Sequence, residues 1–367
     1  MKKQVIMIMG LILLLSACAP SFNKEEEVKT EDADNNTETA IIPNYKISDD
    51  YYKVVVPFKA SKARGLVVNN LNTRYDIAEF ETGLMRVAQN AFDPENYYFQ
   101  EGQYIESSQI SKWLEKKSGK NEGLNPSKES DPNYLAHILE HDYLVKTDDK
   151  SLKLGGVSIG LALNSVYSYK DKDGAIKKIN IDTTKLEKEG KKLAEELIKR
   201  IRSVEGLEKV PVIISLFEQK DSSSVVPGNF LAYSKVGEGS TKLGDWEELN
   251  EKYVLFPDSK SEYKEDADAF SYLKLDIEEY FPNFNGVVGR AFYVNNKLQD
   301  LNIEIPIQFY GEAEAVGFTQ FVAGKIMEYF PPNDQYSVQV SITSVYGPEA
   351  LIVRDVEEDE PYIHIYQ

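Results

Sequence analysis

The chain runs to 367 residues with a formal net charge of -18, 42% apolar and 11% aromatic residues, and one cysteine, Cys18. The apolar content supports a packed core and excludes global disorder, while the acidic balance repels phosphate backbones and excludes nucleic acid as a partner. Beyond Cys18 no thiol remains, so disulfides and thiolate metal sites are excluded and stability rests on burial.

Met1-Lys2-Lys3 opens with positive charge, residues 5–15 form an apolar run, and Leu15-Ser16-Ala17-Cys18 ends it with small residues and the cysteine. The run is too short for a permanent span, which takes about 20 apolar residues. Residues 1–17 therefore read as a lipoprotein signal peptide and Cys18 as the lipidation site. Two acyl chains on the new N-terminus anchor stably where one holds only marginally. The expected partner is the lipid bilayer through acylated Cys18, and the expected location the outer face of the cytoplasmic membrane. An ordinary secretory signal with an incidental cysteine is the weaker alternative.

Residues 18–43 are expected to form a lipidated, disordered acidic tether. Glu25-Glu26-Glu27, Glu31, Asp32, Asp34 and Glu38 outnumber the nearby lysines, and apolar residues are few, so burial does not offset ordering entropy. Such a flexible stretch reaches about 25–30 Å.

Two α+β domains are expected after it, 44–240 and 241–367. In the first, 51–58 and 65–68 read as strands and a helix opens at Asp76, with Ile77, Phe80, Leu84, Val87 and Ala91 on one face. Residues 108–117 and 132–139 read as further helices, and 152–169 with 176–181 as a hairpin about the turn Asp171-Lys172-Asp173-Gly174. Residues 183–201 form a charged amphipathic helix, followed by strands at 210–217 and 229–236. In the second domain, 262–280 is a helix, 286–294 and 301–309 a hairpin about Asn295-Asn296, 313–329 a helix, and 336–345 and 350–356 strands. Hairpin, helix, strand, strand thus occurs twice, consistent with a duplicated unit. The class is α+β, with antiparallel sheets and helices packed on them.

Five constellations could carry chemistry. Gly156-Val157-Ser158-Ile159-Gly160 has nucleophile-elbow spacing with His364 downstream, but strand-like alternation continues where the elbow needs a helix. Small residues in a closely packed strand are the simpler reading. His137-Ile138-Leu139-Glu140-His141 has inverted zincin spacing without a long helix to hold it; a solvated helix end is simpler. Residues 171–174 read as a hairpin turn rather than a calcium loop, and Asp266, Asp268, Asp276, Glu278 and Glu279 as the wet face of a helix. Tyr97-Tyr98-Phe99 and Tyr329-Phe330 are candidate stacking platforms or, more simply, core. No phosphate loop or dinucleotide fingerprint occurs, so no cofactor, metal site or catalytic residue is expected.

Arg64-Gly65-Leu66, Asn72-Thr73-Arg74-Tyr75-Asp76, Glu81-Thr82-Gly83-Leu84 and Phe99-Gln100-Glu101-Gly102-Gln103-Tyr104 follow one another in order. Pro126, residues 134–139, residues 159–167 and Val226-Pro227-Gly228-Asn229-Phe230 come after them. With the lipobox, this series resembles the CamS-type sex-pheromone-precursor lipoproteins of Gram-positive bacteria. The resemblance implies that a short hydrophobic peptide just before the lipobox cysteine is released and sensed by partner cells; here that stretch is residues 11–17, Leu-Ile-Leu-Leu-Leu-Ser-Ala. It implies no activity for the folded part. The expectation is a non-enzymatic surface lipoprotein. The alternatives are an extracytoplasmic binding module for cell-wall glycan or peptide and, less favoured, an envelope hydrolase. A pocket where Arg74, Asp76 and Glu101 converge would be the informative sign.

Overall fold

The computed structural model describes residues 25–31, 37–45, 47–48, 51–119, 121–128, 130–170, 173–281 and 286–366. The signal peptide 1–17, Cys18, and Asp171-Lys172 of the turn lie outside the described residues.

Two large sheets organise the chain. The path of the first runs β11 (Trp246–Glu248), β10 (Asn229–Val236), β9 (Val212–Gln219), β6 (Ser151–Asn164), β5 (Leu135–Lys146), β4 (Tyr98–Glu101) and β3 (Lys53–Val54). The second runs β12 (Glu251–Phe256), β13 (Val288–Val294), β14 (Lys297–Pro306), β15 (Ser337–Ser344), β16 (Gly347–Arg354) and β17 (Tyr362–Ile365). The helices are α1 (Leu66–Asn70), α2 (Arg74–Ala88), α3 (Ser107–Leu114), α4 (Thr183–Ile201), α5 (Lys264–Tyr280) and α6 (Glu312–Tyr329).

The expected α+β class holds, and the repeat is longer than the sequence suggests. Strand, helix, hairpin, helix and three strands occur as β4-α3-β5-β6-α4-β9-β10-β11 and again as β12-α5-β13-β14-α6-β15-β16-β17. In each, the crossover helix joins a parallel pair, β6 with β9 and β14 with β15, and the other pairs along β4–β11 and β12–β17 are antiparallel. The first hairpin is β5–β6, not 152–169 with 176–181. That expected pairing survives only as the separate small sheet of β7 (Val166–Lys170) and β8 (Ile176–Asn180). The first sheet also keeps β11, so the passage between sheets falls at Leu249-Asn250 rather than at residue 240.

Three further expectations are corrected. In the expected helix 132–139, residues 135–139 belong to a strand: β5 is buried on both faces, so its side chains show no period of two that would set it apart from a helix. The run 65–68 opens the short helix α1 rather than a strand. Part of the expected tether is ordered, since β1 (Glu26–Glu31) and β2 (Thr37–Ile42) form a hairpin joined in parallel to the start of β6. Val28, Ala40 and Ile42 are buried there with Val55, Leu144 and Leu152. The acidic average hid this alternation, whose charged members face water.

Burial fixes the layers. On one face of the first sheet, Leu186, Leu193, Leu197 and Ile201 of α4 pack with Ile138, Ile159 and Leu161; Asp182 caps the helix by accepting from the Thr184 and Lys185 amides. On the other face, Phe80, Leu84 and Val87 of α2 pack with Tyr143, Ile213, Phe217 and Phe230. In the second unit Phe270 of α5 and Phe318 of α6 share a core with Ile303, Val340 and Ile352. Each such side chain contributes about 1.5–3 kcal/mol of burial. The second hairpin turns at Asn295-Asn296, both with positive φ, 50° and 63°, as Asn permits in a tight turn.

Helix α2 also faces the second unit. Arg86 donates to Glu79 at 2.6 Å and to both carboxylate oxygens of Glu251, at 3.1 and 3.3 Å. Tyr253 donates to Glu79 at 2.5 Å, and Glu251 accepts from the Phe230 amide at 3.2 Å.

Candidate functional site

The start of α2 is fixed by Asp76. Its backbone N–H donates to Thr73 Oγ1, and its buried carboxylate accepts from the Thr73 hydroxyl and from the amides of Lys220 and Gly228. Burial raises the Asp76 pKa and these bonds oppose the rise. Asp76 is therefore an anchor. Arg74 is exposed and Glu101 lies elsewhere, so Arg74, Asp76 and Glu101 do not converge.

Between α2 and the edge of the first sheet lies a cleft of two hollows. The inner one, about 220 Å³, is lined by Arg64, Glu81, Glu101, His137 and His141 among others. The outer one, about 410 Å³, is lined by Tyr51, Tyr52, Val54, Arg86 and Gln89. Thr82, Met85 and Phe99 belong to both.

Alternation along β5 puts His137, Leu139, His141 and Tyr143 on the α2 face and Ile138, Glu140 and Asp142 on the other. Both imidazoles are buried, at 1% and 4% exposure, and burial lowers their pKa values to about 4 for His137 and about 3 for His141. Both are neutral at pH 7. Asn70 Nδ2 donates to His137 Nδ1 at 3.1 Å, leaving the ring proton on Nε2. His141 Nδ1 has no hydrogen-bond partner, and Phe99 meets its ring edge-on at 5.0 Å.

Behind the cleft, Glu140 accepts from the Tyr104 and Ile105 amides and Asp142 from the Gln103 amide. Burial raises the pKa of both acids, and Glu140's charge raises that of Asp142 further. The pair thus holds the 103–105 loop and retains a proton near neutrality.

Neither sequence-level enzyme motif assembles. Residues i and i+4 of a strand stand about 13 Å apart, against about 6 Å on a helix, so His137 and His141 cannot share one metal, and Glu140 points away from both. Among the described residues no three His, Cys, Asp or Glu converge on a metal position. Ser158 is fully buried within β6, which runs on as strand to Asn164, and its Oγ has no partner. Its cross-strand neighbour is His141, whose other neighbour is Glu101. His364 lies in the second sheet, exposed against Tyr366. Gly156 and Gly160 instead admit the rings of Phe92 and Phe80, where a Cβ would collide.

Of the acidic helix residues, Asp266 accepts from Tyr293 at 2.8 Å, and Asp276 accepts from Tyr329 at 2.7 Å and pairs with Lys325. Phe99 lines the cleft while Phe330 is core. A further hollow of about 590 Å³, lined by Phe309, Tyr310, Tyr366, Glu312 and Glu349, opens in the second unit. Glu81, Tyr51 and Met85 carried no sequence signal as site residues, because nothing local marks a side chain that faces a cleft.

Among the described residues no helix is long and apolar enough to cross a membrane. A family model, CamS sex pheromone cAM373 precursor, matches residues 58–360. The crystal structure of a sex pheromone precursor from Lactobacillus salivarius subsp. salivarius UCC118 is similar at 30% identity and TM-score 0.82, covering 88% of this chain and 98% of that one. The C-terminal domain of the sex pheromone staph-cAM373 precursor from Staphylococcus aureus is similar at 30% identity and TM-score 0.69, covering 81% of this chain and 98% of that one. No curated protein matches the chain.

Proposed function

The chain belongs to the CamS sex pheromone cAM373 precursor family, and on that premise we propose that it is a membrane-anchored extracytoplasmic lipoprotein whose signal peptide releases the apolar stretch of residues 11–17. The family match over residues 58–360 carries this reading. The positive start, the apolar run and the small residues before Cys18 support it, since a thiol at the new N-terminus can take two acyl chains and stay anchored. Labelled palmitate is expected in the wild-type protein and not in Cys18→Ala; equal labelling of both removes the anchor. Synthetic Leu-Ile-Leu-Leu-Leu-Ser-Ala is expected to trigger responder cells, and silence at nanomolar dose removes the signalling part.

A second reading concerns the folded body. The cleft beside α2 favours an extracytoplasmic binding module for cell-wall glycan or peptide, because concave, mostly apolar hollows with a few convergent polar groups are the usual form of small-ligand sites. Peptidoglycan fragments or short peptides are expected to raise the melting temperature of the wild type and not of Met85→Trp, which fills the cleft. Equal shifts in both proteins would exclude the cleft as the site.

A further inference from the structure

We infer that the cleft binds the amino-terminus of a short apolar peptide, its ammonium between Glu81 and Glu101 and its leading side chains against Tyr51, Val54, Met85 and Phe99. This rests on the reading of the body as a binding module.

Carboxylates outnumber the one guanidinium, Arg64, in the lining of the inner hollow. Glu101 lines the hollow, and its Oε2 accepts from the Ser61 amide at 2.6 Å. Glu81 makes no hydrogen bond or close ion pair among the described residues. Glu81 is exposed at the rim of the hollow, and partial desolvation there raises its pKa, as does the charge of Glu101, while Arg64 lowers it. His141 adds an unpartnered Nδ1 on a side chain only 4% exposed that lines the same hollow. An ammonium has three N–H donors and no acceptor. Glu81 and Glu101 offer carboxylate acceptors, and neutral His141 stands beside them with one ring nitrogen unpartnered.

Charge and shape narrow the ligand. Glu81, Glu101 and Glu140 against the single guanidinium of Arg64 leave the lining acidic, which suits an ammonium and repels phosphate or a second carboxylate. The adjoining hollow of about 410 Å³ has an apolar wall, which an amino sugar would leave unfilled and an apolar side chain would cover. Arg64 at the mouth can donate to the first peptide carbonyl, while its guanidinium lies 5.4 Å from the Phe58 ring.

The test is calorimetric titration of the full-length chain with Leu-Leu-Leu amide, its N-acetyl form, and glucosamine. The free-amine peptide is expected to bind, and acetylation or the double change E81Q/E101Q to weaken it at least tenfold. Gln at 101 keeps an acceptor for Ser61, so an unchanged melting temperature shows that the fold survives. Val54→Asp, on the outer wall, is expected to weaken the peptide without changing its dependence on the free amine. Equal binding of the free and acetylated peptides overturns the inference, as does indifference to E81Q/E101Q. Binding of glucosamine alone overturns it while leaving the binding-module reading standing; binding of none of the three overturns it too.

Discussion

The two units share a strand order, yet they are covered differently. The sheet of β4–β11 has α3 and α4 on one face and α2 on the other, so β5 and β6 carry His137, Glu140, His141, Asp142 and Ser158 into the interior. In the β12–β17 unit, α5 and α6 share a core with the sheet. Its residues Tyr253, Arg290 and Phe292 meet Glu79, Tyr75 and Arg86 of α2. The repeat therefore supplies a frame, and the added helix with the 51–65 segment supplies the cleft. Shared topology did not bring shared chemistry, because a site belongs to the residues placed on a fold rather than to the fold.

Changes on α2 test this contrast most strongly. Phe80→Ala removes a fully buried ring packed on Phe217 and Phe230 and is expected to cost about 4 kcal/mol in guanidinium unfolding. A loss below about 1 kcal/mol, within the usual range of surface changes, would make α2 an appendage and break the comparison. Arg86→Ala leaves Glu79 and Glu251 buried beside each other without their cation, at a cost of about 3 kcal/mol. If the units lean on each other through this cluster, the change is also expected to separate their unfolding into two transitions by calorimetry; one unbroken transition would place the coupling elsewhere.

Smaller effects sharpen the picture. Asp182→Ala deletes the cap of α4 and should lower stability by about 1 kcal/mol, measured by urea unfolding, while leaving peptide binding on the opposite face unchanged. Glu140→Gln is read in the pH dependence. Burial raises the pKa of Glu140 above its ordinary 4.5, so the folded state holds a proton that the unfolded state releases. Its contribution therefore falls as pH rises from 4.5 toward neutrality. His137 acts with the opposite sign: its pKa is lowered from 6.5 to about 4, so stability is lost as pH falls through that window. Glu140→Gln is expected to keep the acid-side loss and shrink the neutral-side one, of which buried Asp142 keeps a share, seen as melting temperatures from pH 4.5 to 7.5. A parallel pair of curves would show that Glu140 is ionised in the folded protein.

The amphipathic segment 183–201 forms a helix with the bounds its pattern implies, because one face is wet, the other packs on a sheet, and Asp182 supplies a cap. The Asn295-Asn296 turn and the α+β class were legible for similar local reasons. The order of quoted residues from Arg64 to Phe230 carried the family. By contrast, β5 read as helix because a strand buried on both faces loses its alternation, and β1–β2 vanished into an acidic average although Val28, Ala40 and Ile42 pack on the β6 end. Glu81, Glu101 and His141 become neighbours only when α2 is laid across β4 and β5. Local patterning reports which face of an element is wet, and so fixes elements and class. Which polar groups share one cavity depends on packing between residues far apart in the chain, and that only the tertiary structure decides.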